Sequence, residues 1–424
     1  MRRAQLIAST LLFLMLVAVL PTVAAEEYYP TSGWRTSTPE TQGMSSKKLK
    51  EWSDQIRVSG AAIDGIVVVR HGYLVWETYP NPLFAATDTH RLYSVTKSFT
   101  SCLVGIAIDK GYIDDVNQTM LSFFPDRTVA NLDERKQRIT VENLLMMRSG
   151  LRWDESSAPF TDPRNDIYHI LHEDGLQWSL NLEAVGEPGV TWHYNTGASH
   201  ILSGIVTAAT GSSTLDFAEE NLFKPLGITR FAWSEDGAGT IIGGFDLQLS
   251  PRDMAKFGYL YLHGGRWDGK QIVSEGWVER STSTLTRPTA ALGYGYQWWT
   301  TPSQNMYSCR GLYNQMIYVL PGQDIVIAVT GDMRSGGTDD AIADYILASI
   351  TEYDSGTEPA GQSNGVPGYP VEAIAASLIT VILIGAWVRA VRPRPQTCNS
   401  SRANENLREI TLGTYHSFNN CMRA

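Results

Sequence analysis

The chain has 424 residues, 43% of them apolar, which is enough to bury a sizeable core in one large domain or two. Its formal charge of −10 is uneven: Arg2 and Arg3 precede the first apolar run, and six arginines from Arg389 onward face only Glu405 and Glu409, so the part between carries about −16. A globular part that acidic is a poor partner for nucleic acid or an anionic membrane surface, and solubility is the plainer use of its charge.

Residues 1–25 read as a secretory signal peptide, with Arg2-Arg3, an apolar run from Leu6 to Leu20, and Val23-Ala24-Ala25 as a small-residue cleavage site. An uncleaved anchor is the alternative, and both export the chain that follows. Ser45 to Trp52 opens a surface helix with Leu49, Trp52 and Ile56 facing inward. Residues 65–70 and 73–78 read as strands joined by His71-Gly72, a tight hairpin signal that makes His71 a turn residue.

The stretch from Arg91 to Gly111 is the centre of the chain. From Phe99 to Ile108 nearly every residue is apolar or small, and Gly111 stands where a left-handed C-cap belongs. A helix apolar on all sides lies inside a domain, yet its first turn holds Ser94, Thr96, Lys97 and Ser98. Three residues make about one turn, so Ser94 and Lys97 share a face. A hydroxyl and an amine so placed look like a nucleophile and its base, with the helix dipole favouring negative charge at Ser94.

Residues 112–250 are helical stretches broken by Pro and Gly. Thr140 to Asn143 opens one that ends at Ser149-Gly150, and a buried helix follows Trp192 to Gly197. Pro251 begins another, with Met254, Phe257, Leu260 and Tyr261 on its inner stripe. The period then changes to strands at residues 294–300, 316–320 and 325–330, before a final helix from Asp339 to Ile350. Two strands before the helical region and three after it predict an α+β fold. It is one antiparallel sheet built from both ends of residues 26–353 and flanked by helices, with an inserted, mainly helical region and a cleft between the parts.

Residues 354–368 read as a Gly-, Ser- and Pro-rich linker. Ala373 to Val388 are uncharged, with Tyr369 and Trp387 as interfacial aromatics and Arg389, Arg392 and Arg394 beyond. The expectation is a transmembrane anchor at 369–391 and a cytoplasmic tail at 392–424. The protein is then single-pass in the cell membrane, with an extracytoplasmic catalytic domain.

For Ser94 to act, Lys97 must lose its proton, which requires a pKa lowered by burial or a nearby cation. Tyr194 is a candidate to share that work, since a phenolate beside Lys97 would be stabilised by the ammonium. Other signals are weaker. His169 and His172 are one turn apart but lack a third ligand, so no metal is expected. His193 and His200 read as packing or rim residues, and Trp153, Trp298 and Trp299 as core or the wall of an acyl pocket. The four cysteines, Cys102, Cys309, Cys398 and Cys421, are too scattered for a disulfide framework. There is no Gly-x-Ser-x-Gly elbow and no nucleotide-binding glycine loop, so no cofactor is expected.

Taken in order, Ser94-Val95-Thr96-Lys97, residues 139–151 ending in Ser149-Gly150-Leu151, Tyr194-Asn195-Thr196 and Leu249 to Gly258 form a set more specific than any one of them. That set resembles the serine hydrolases sharing the fold of class C β-lactamases and low-molecular-weight penicillin-binding proteins, a group with carboxylesterases, D-amino-acid amidases and 6-aminohexanoate-oligomer hydrolases. The resemblance implies a β-lactamase/transpeptidase-like fold, acylation of Ser94, proton handling by Lys97 and Tyr194, and an oxyanion held by the backbone N–H groups of Ser94 and Leu312. It also implies substrate contacts at Asn195, Thr196, Arg310 and Gly311. Two positions depart from the pattern: Thr196 stands where Asn is usual, and Cys309-Arg310-Gly311 lacks the leading Lys or His. The departures favour a small ester or amide substrate over a β-lactam or peptidoglycan peptide. A non-catalytic surface binder is the reading from another class. Oligomeric state is not legible.

Overall fold

The computed structural model describes residues 28–332 and 341–351. Its centre is an antiparallel sheet drawn from both ends of the chain. β1 (Ile63–Arg70) and β2 (Tyr73–Thr78) come from the N-terminal part; β3 (Gly293–Tyr294), β4 (Trp299–Thr301), β5 (Met306–Gly311), β6 (Gln315–Leu320) and β7 (Ile325–Gly331) come from the C-terminal part. The order is β2-β1-β7-β6-β5-β4-β3. β1 meets β7 with Ile66 opposite Val329 and Val69 opposite Val326. The β1–β2 turn has both His71 (φ 50) and Gly72 (φ 74) left-handed, as a two-residue hairpin turn requires.

Alternation along the strands sorts their side chains onto two buried faces. Val67, Val69, Ile317, Val319, Val326 and Ala328 join the larger core. Ile66, Val68, Met316, Tyr318, Ile325 and Ile327 join the smaller one. Apolar residues on both faces demand cover on both sides. Helix α1 (Ser46–Ser59), whose N-terminus is capped by the Ser45 side chain, covers the smaller core with Leu49, Trp52 and Ile56. The expected closing helix is described from residue 341, as helical turns at Ile342–Ile346 and Leu347–Ser349 on the same side.

The larger core is covered by the helical region. Every residue of α2 (Thr96–Asp109) from Thr96 to Ala107 is buried, as an all-round apolar helix must be. Gly111, at φ 75, completes its C-terminal turn. α3 (Val141–Leu145) starts with a reciprocal capping box between Thr140 and Asn143. α4 (Thr196–Thr210) is capped by Asn195. α5 (Pro251–Leu262) stacks Phe257 on Phe99 of α2, ring centroids 3.7 Å apart. α2 is thus clamped between the sheet and other helices, while Tyr93 and Ser94 just before it are partly exposed.

The expected membrane location is corrected by this structure. Among the described residues no helix is long and apolar enough to cross a membrane, and nothing in them supports a single-pass protein with an extracytoplasmic domain. The uncharged run between Glu372 and Arg389 has sixteen residues, short of the roughly 20 that a span needs. The segment read as the anchor, 369–391, lies outside the described residues, as do 1–25, 354–368 and 392–424.

Candidate active site

Ser94 sits in a 3-10 turn, Tyr93–Val95, that leads directly into α2. Lys97 is on the first turn of α2, and the one-turn spacing brings its Nζ to 3.0 Å from Ser94 Oγ. The amine also donates to Gly244 O at 2.8 Å. Lys97 is 2% exposed, and burial lowers its pKa from 10.5 to about 8, with Glu155 pulling the other way. Much of the amine is therefore neutral in mildly alkaline solution, the state in which it can accept the Ser94 proton.

Tyr194 precedes the cap of α4, and Lys97 Nζ lies 4.8 Å from its ring centroid. The phenol does not become the expected phenolate. Burial and the Glu155 carboxylate push its pKa far above the usual value, while a hydrogen bond with Ser94 only partly opposes them. Tyr194 thus stays protonated, a hydrogen-bond donor rather than a base. Its ring stacks on Trp299, centroids 6.3 Å apart, and with Met147, Trp192, Leu292 and Tyr294 these two form a small separate apolar cluster.

The end of β5 closes the other side. A Cβ on Gly311 would lie 2.4 Å from Leu92 O and 3.3 Å from Val95 N, so only glycine lets the strand rest on the backbone around Ser94. Leu312 follows at once, beside the Ser94 turn. β4 pairs with β5 only as far as Ser308, opposite Trp299, so Cys309 to Gly311 run on past the end of that ladder. Tyr93 (φ 47) and Tyr313 (φ 62) are left-handed on either side of this junction, a strain on the order of 1–3 kcal/mol each.

The structure also places the remaining residues that the sequence singled out. Asn195 and Thr196 are buried, and Asn195 Oδ1 accepts from Ala198 N at 2.9 Å as the helix cap. Arg310 pairs with Met316 on the sheet face turned away from α2, its Nε 3.0 Å from Ser308 Oγ. Cys309 faces α2 instead, and burial raises its thiol pKa well above 9.0, so it adds no charge there. His200 is fully buried with Nε2 3.0 Å from Asp236, and His193 Nε2 is 2.9 Å from Trp153 O. His169 stacks on Trp178, centroids 3.4 Å apart. Among the described residues no group of acidic, His or Cys side chains could hold a metal.

Three groups escaped the sequence reading. Glu155 Oε2 is 2.5 Å from Trp153 Nε1 and 3.3 Å from Thr196 N, close enough to act on Lys97 and Tyr194. Gly244 supplies the second acceptor for Lys97. Gln297, left-handed at φ 63, is a buried hub. Its carbonyl takes Ser98 Oγ of α2, its Oε1 takes Ser199 Oγ of α4, both at 2.7 Å, and its Nε2 reaches Leu144 O and Leu145 O of α3. A Gly-Gly pair and a lone Gln carry no periodic signal. Glu155 follows the Ser149-Gly150-Leu151 turn closely, which was the available hint.

Comparison with known proteins places the chain in a family. The chain is 26% identical over 335 residues to the 6-aminohexanoate-dimer hydrolase of Paenarthrobacter ureafaciens, covering 71% of this chain and 82% of that protein. It is 32% identical over 158 residues to the monacolin J acid methylbutanoyltransferase of Aspergillus terreus, a match that spans 33% of this chain and 36% of that one. Among solved structures, a family VIII carboxylesterase shares its fold with a TM-score of 0.59 at 14% identity, covering 74% of this chain and 98% of that one. The family profile described as Beta-lactamase matches residues 46–351. The chain belongs to the beta-lactamase family, and it is a serine hydrolase of that family.

Proposed function

We propose that the domain at 26–353 hydrolyses a small ester or amide through an acyl intermediate on Ser94. One observation carries the reading: the Lys97 amine, with its pKa lowered to about 8, lies 3.0 Å from Ser94 Oγ. Neutral Lys97 takes the Ser94 proton as Oγ attacks the carbonyl carbon. The oxyanion is held by the backbone N–H groups of Ser94 and Leu312. The C–O or C–N bond breaks as the departing oxygen or nitrogen takes a proton, donated by Tyr194 and replenished from the Lys97 ammonium. Water then attacks the acyl-Ser94 carbonyl, gives its proton back through the same pair, and frees the acid and Ser94.

Substrates requiring carboxylate recognition, such as β-lactams and peptidoglycan peptides, fit this reading less well. Cys309 stands uncharged where the resembling enzymes place a cation, and Arg310 lies on the other face of β5. A fluorophosphonate probe is expected to label the full chain once, with Ser94→Ala abolishing the label. Labelling that survives Ser94→Ala overturns the proposal, and stable acylation by a fluorescent penicillin without ester turnover moves the substrate to β-lactams.

A further inference from the structure

Tyr93 and Tyr313 occupy a backbone region that bulky residues rarely take. Glycine would hold either turn without strain, yet both positions carry a ring. The rings meet edge to face, centroids 5.2 Å apart. Tyr93 immediately precedes Ser94, and Tyr313 immediately follows Leu312. Tyr93, Ser94, Leu312 and Tyr313 are all partly exposed, while Leu92, Val95, Gly311 and Asn314 around them are buried. The two rings therefore sit at the open side of the nucleophile, flanking the backbone donors assigned to the oxyanion.

We propose that Tyr93 and Tyr313 form an acyl clamp that selects apolar acyl groups of about butanoyl to benzoyl size. The inference rests on the acyl-Ser94 reading above. Four substituents surround the tetrahedral carbon: Ser94 Oγ, the oxyanion, the leaving group and the acyl substituent. The oxyanion is committed to the backbone donors, and the leaving group to Lys97 and Tyr194, which handle its proton. The acyl substituent is left to the side where the two tyrosines flank the donors. A wall of two rings in edge-to-face contact suits an alkyl chain or a flat ring laid against it.

Charge narrows the class further. Among the described residues, the charged groups acting on Tyr93 are the carboxylates of Asp246 and Asp332 and the guanidinium of Arg91. Arg91 is itself paired with Asp246 at 2.5 Å. An acyl group carrying its own carboxylate would meet net negative charge there. The clamp takes neutral acyl groups.

The test uses the full chain and 4-nitrophenyl esters with one leaving group and four acyl groups: acetyl, butanoyl, benzoyl and hemisuccinyl. Butanoyl and benzoyl esters are expected to exceed acetyl in kcat/KM by about tenfold or more, with hemisuccinyl below acetyl. Tyr313→Gly removes the ring and relieves the left-handed strain, so the fold is not at risk. It is expected to collapse the butanoyl-to-acetyl ratio to within about twofold, while Tyr313→Phe keeps it. A wild-type ratio retained in Tyr313→Gly, or no acyl preference in the wild type, overturns the clamp. Fluorophosphonate labelling separates the two readings: a protein labelled at Ser94 without acyl preference sinks the clamp alone, whereas a wild type that takes no label sinks the acyl-Ser94 reading.

Discussion

The Lys97 amine and the Gly244 carbonyl are 2.8 Å apart, at a place where the chain has no room for a side chain. A Cβ on Gly244 would meet Thr196 Cγ2 at 2.4 Å and Thr196 O at 3.0 Å, and one on Gly243 would meet Ser199 O at 2.3 Å. The Gly243-Gly244 backbone is thus wedged against the first turn of α4, which Tyr194 leads into. One carbonyl ties the amine on α2 to the helix beside the phenol. Gly244→Ala is expected to destabilise the fold by about 1–3 kcal/mol and to lower kcat more than it changes KM. Steady-state kinetics alongside thermal unfolding check this, and an unfolding cost with kcat intact sinks the positioning argument.

The depressed Lys97 pKa predicts a pH profile. Because the neutral amine is the working form, kcat/KM rises with pH through a single ionisation near 8. The same shift is a stability statement. Between about 8 and 10.5 the unfolded chain holds the Lys97 proton that the folded chain has released, so stability rises with pH across that window. Below 8 both states hold the proton, and the full cost of the buried ammonium is present, about 3 kcal/mol. Lys97→Met is therefore expected to abolish labelling of Ser94 while stabilising the fold at pH 7. The stability gap to wild type narrows as pH rises to 10.5. Denaturant unfolding at several pH values measures it.

Tyr194 is held protonated, so its role is separable from that of Lys97. Tyr194→Phe is expected to reduce kcat by about 10²–10⁴-fold and to leave the rise near pH 8 in place. Loss of that rise in the variant would show that the tyrosine, not the lysine, is the titrating base.

What the sequence made legible follows from periodicity and local spacing. The apolar run at residues 65–70 and the aromatic and β-branched runs at 316–320 and 325–330 announced strands, and the apolar run from Phe99 to Ile108 announced a central helix. Ser94 and Lys97 were legible because one helical turn fixes their relation without any tertiary contact. Glu155, Gly244 and Gln297 were not, because the site residues each meets lie far along the chain and only the fold brings them together. Strand alternation also decides what a motif match does not. In Cys309-Arg310-Gly311 the charged residue alternates with the two buried positions on the α2 side, so Arg310 points to the far face although it is next in sequence to both.

Glu155 offers the sharpest test of the electrostatics. Its carboxylate favours the Lys97 ammonium and disfavours a Tyr194 phenolate, so it raises both pKa values. Glu155→Gln keeps the shape and removes the charge. The Gln amide oxygen can still accept from Trp153 Nε1, which now bonds the carboxylate at 2.5 Å. With that charge gone, burial acts on Lys97 with less opposition, and the rise in kcat/KM is expected to move to lower pH than in the wild type. Activity near pH 6 would then gain relative to activity at pH 9, the reverse of what a simple loss of folded protein produces. A full pH profile of the variant decides it: an unmoved midpoint, or one shifted upward, removes Glu155 from the control of Lys97.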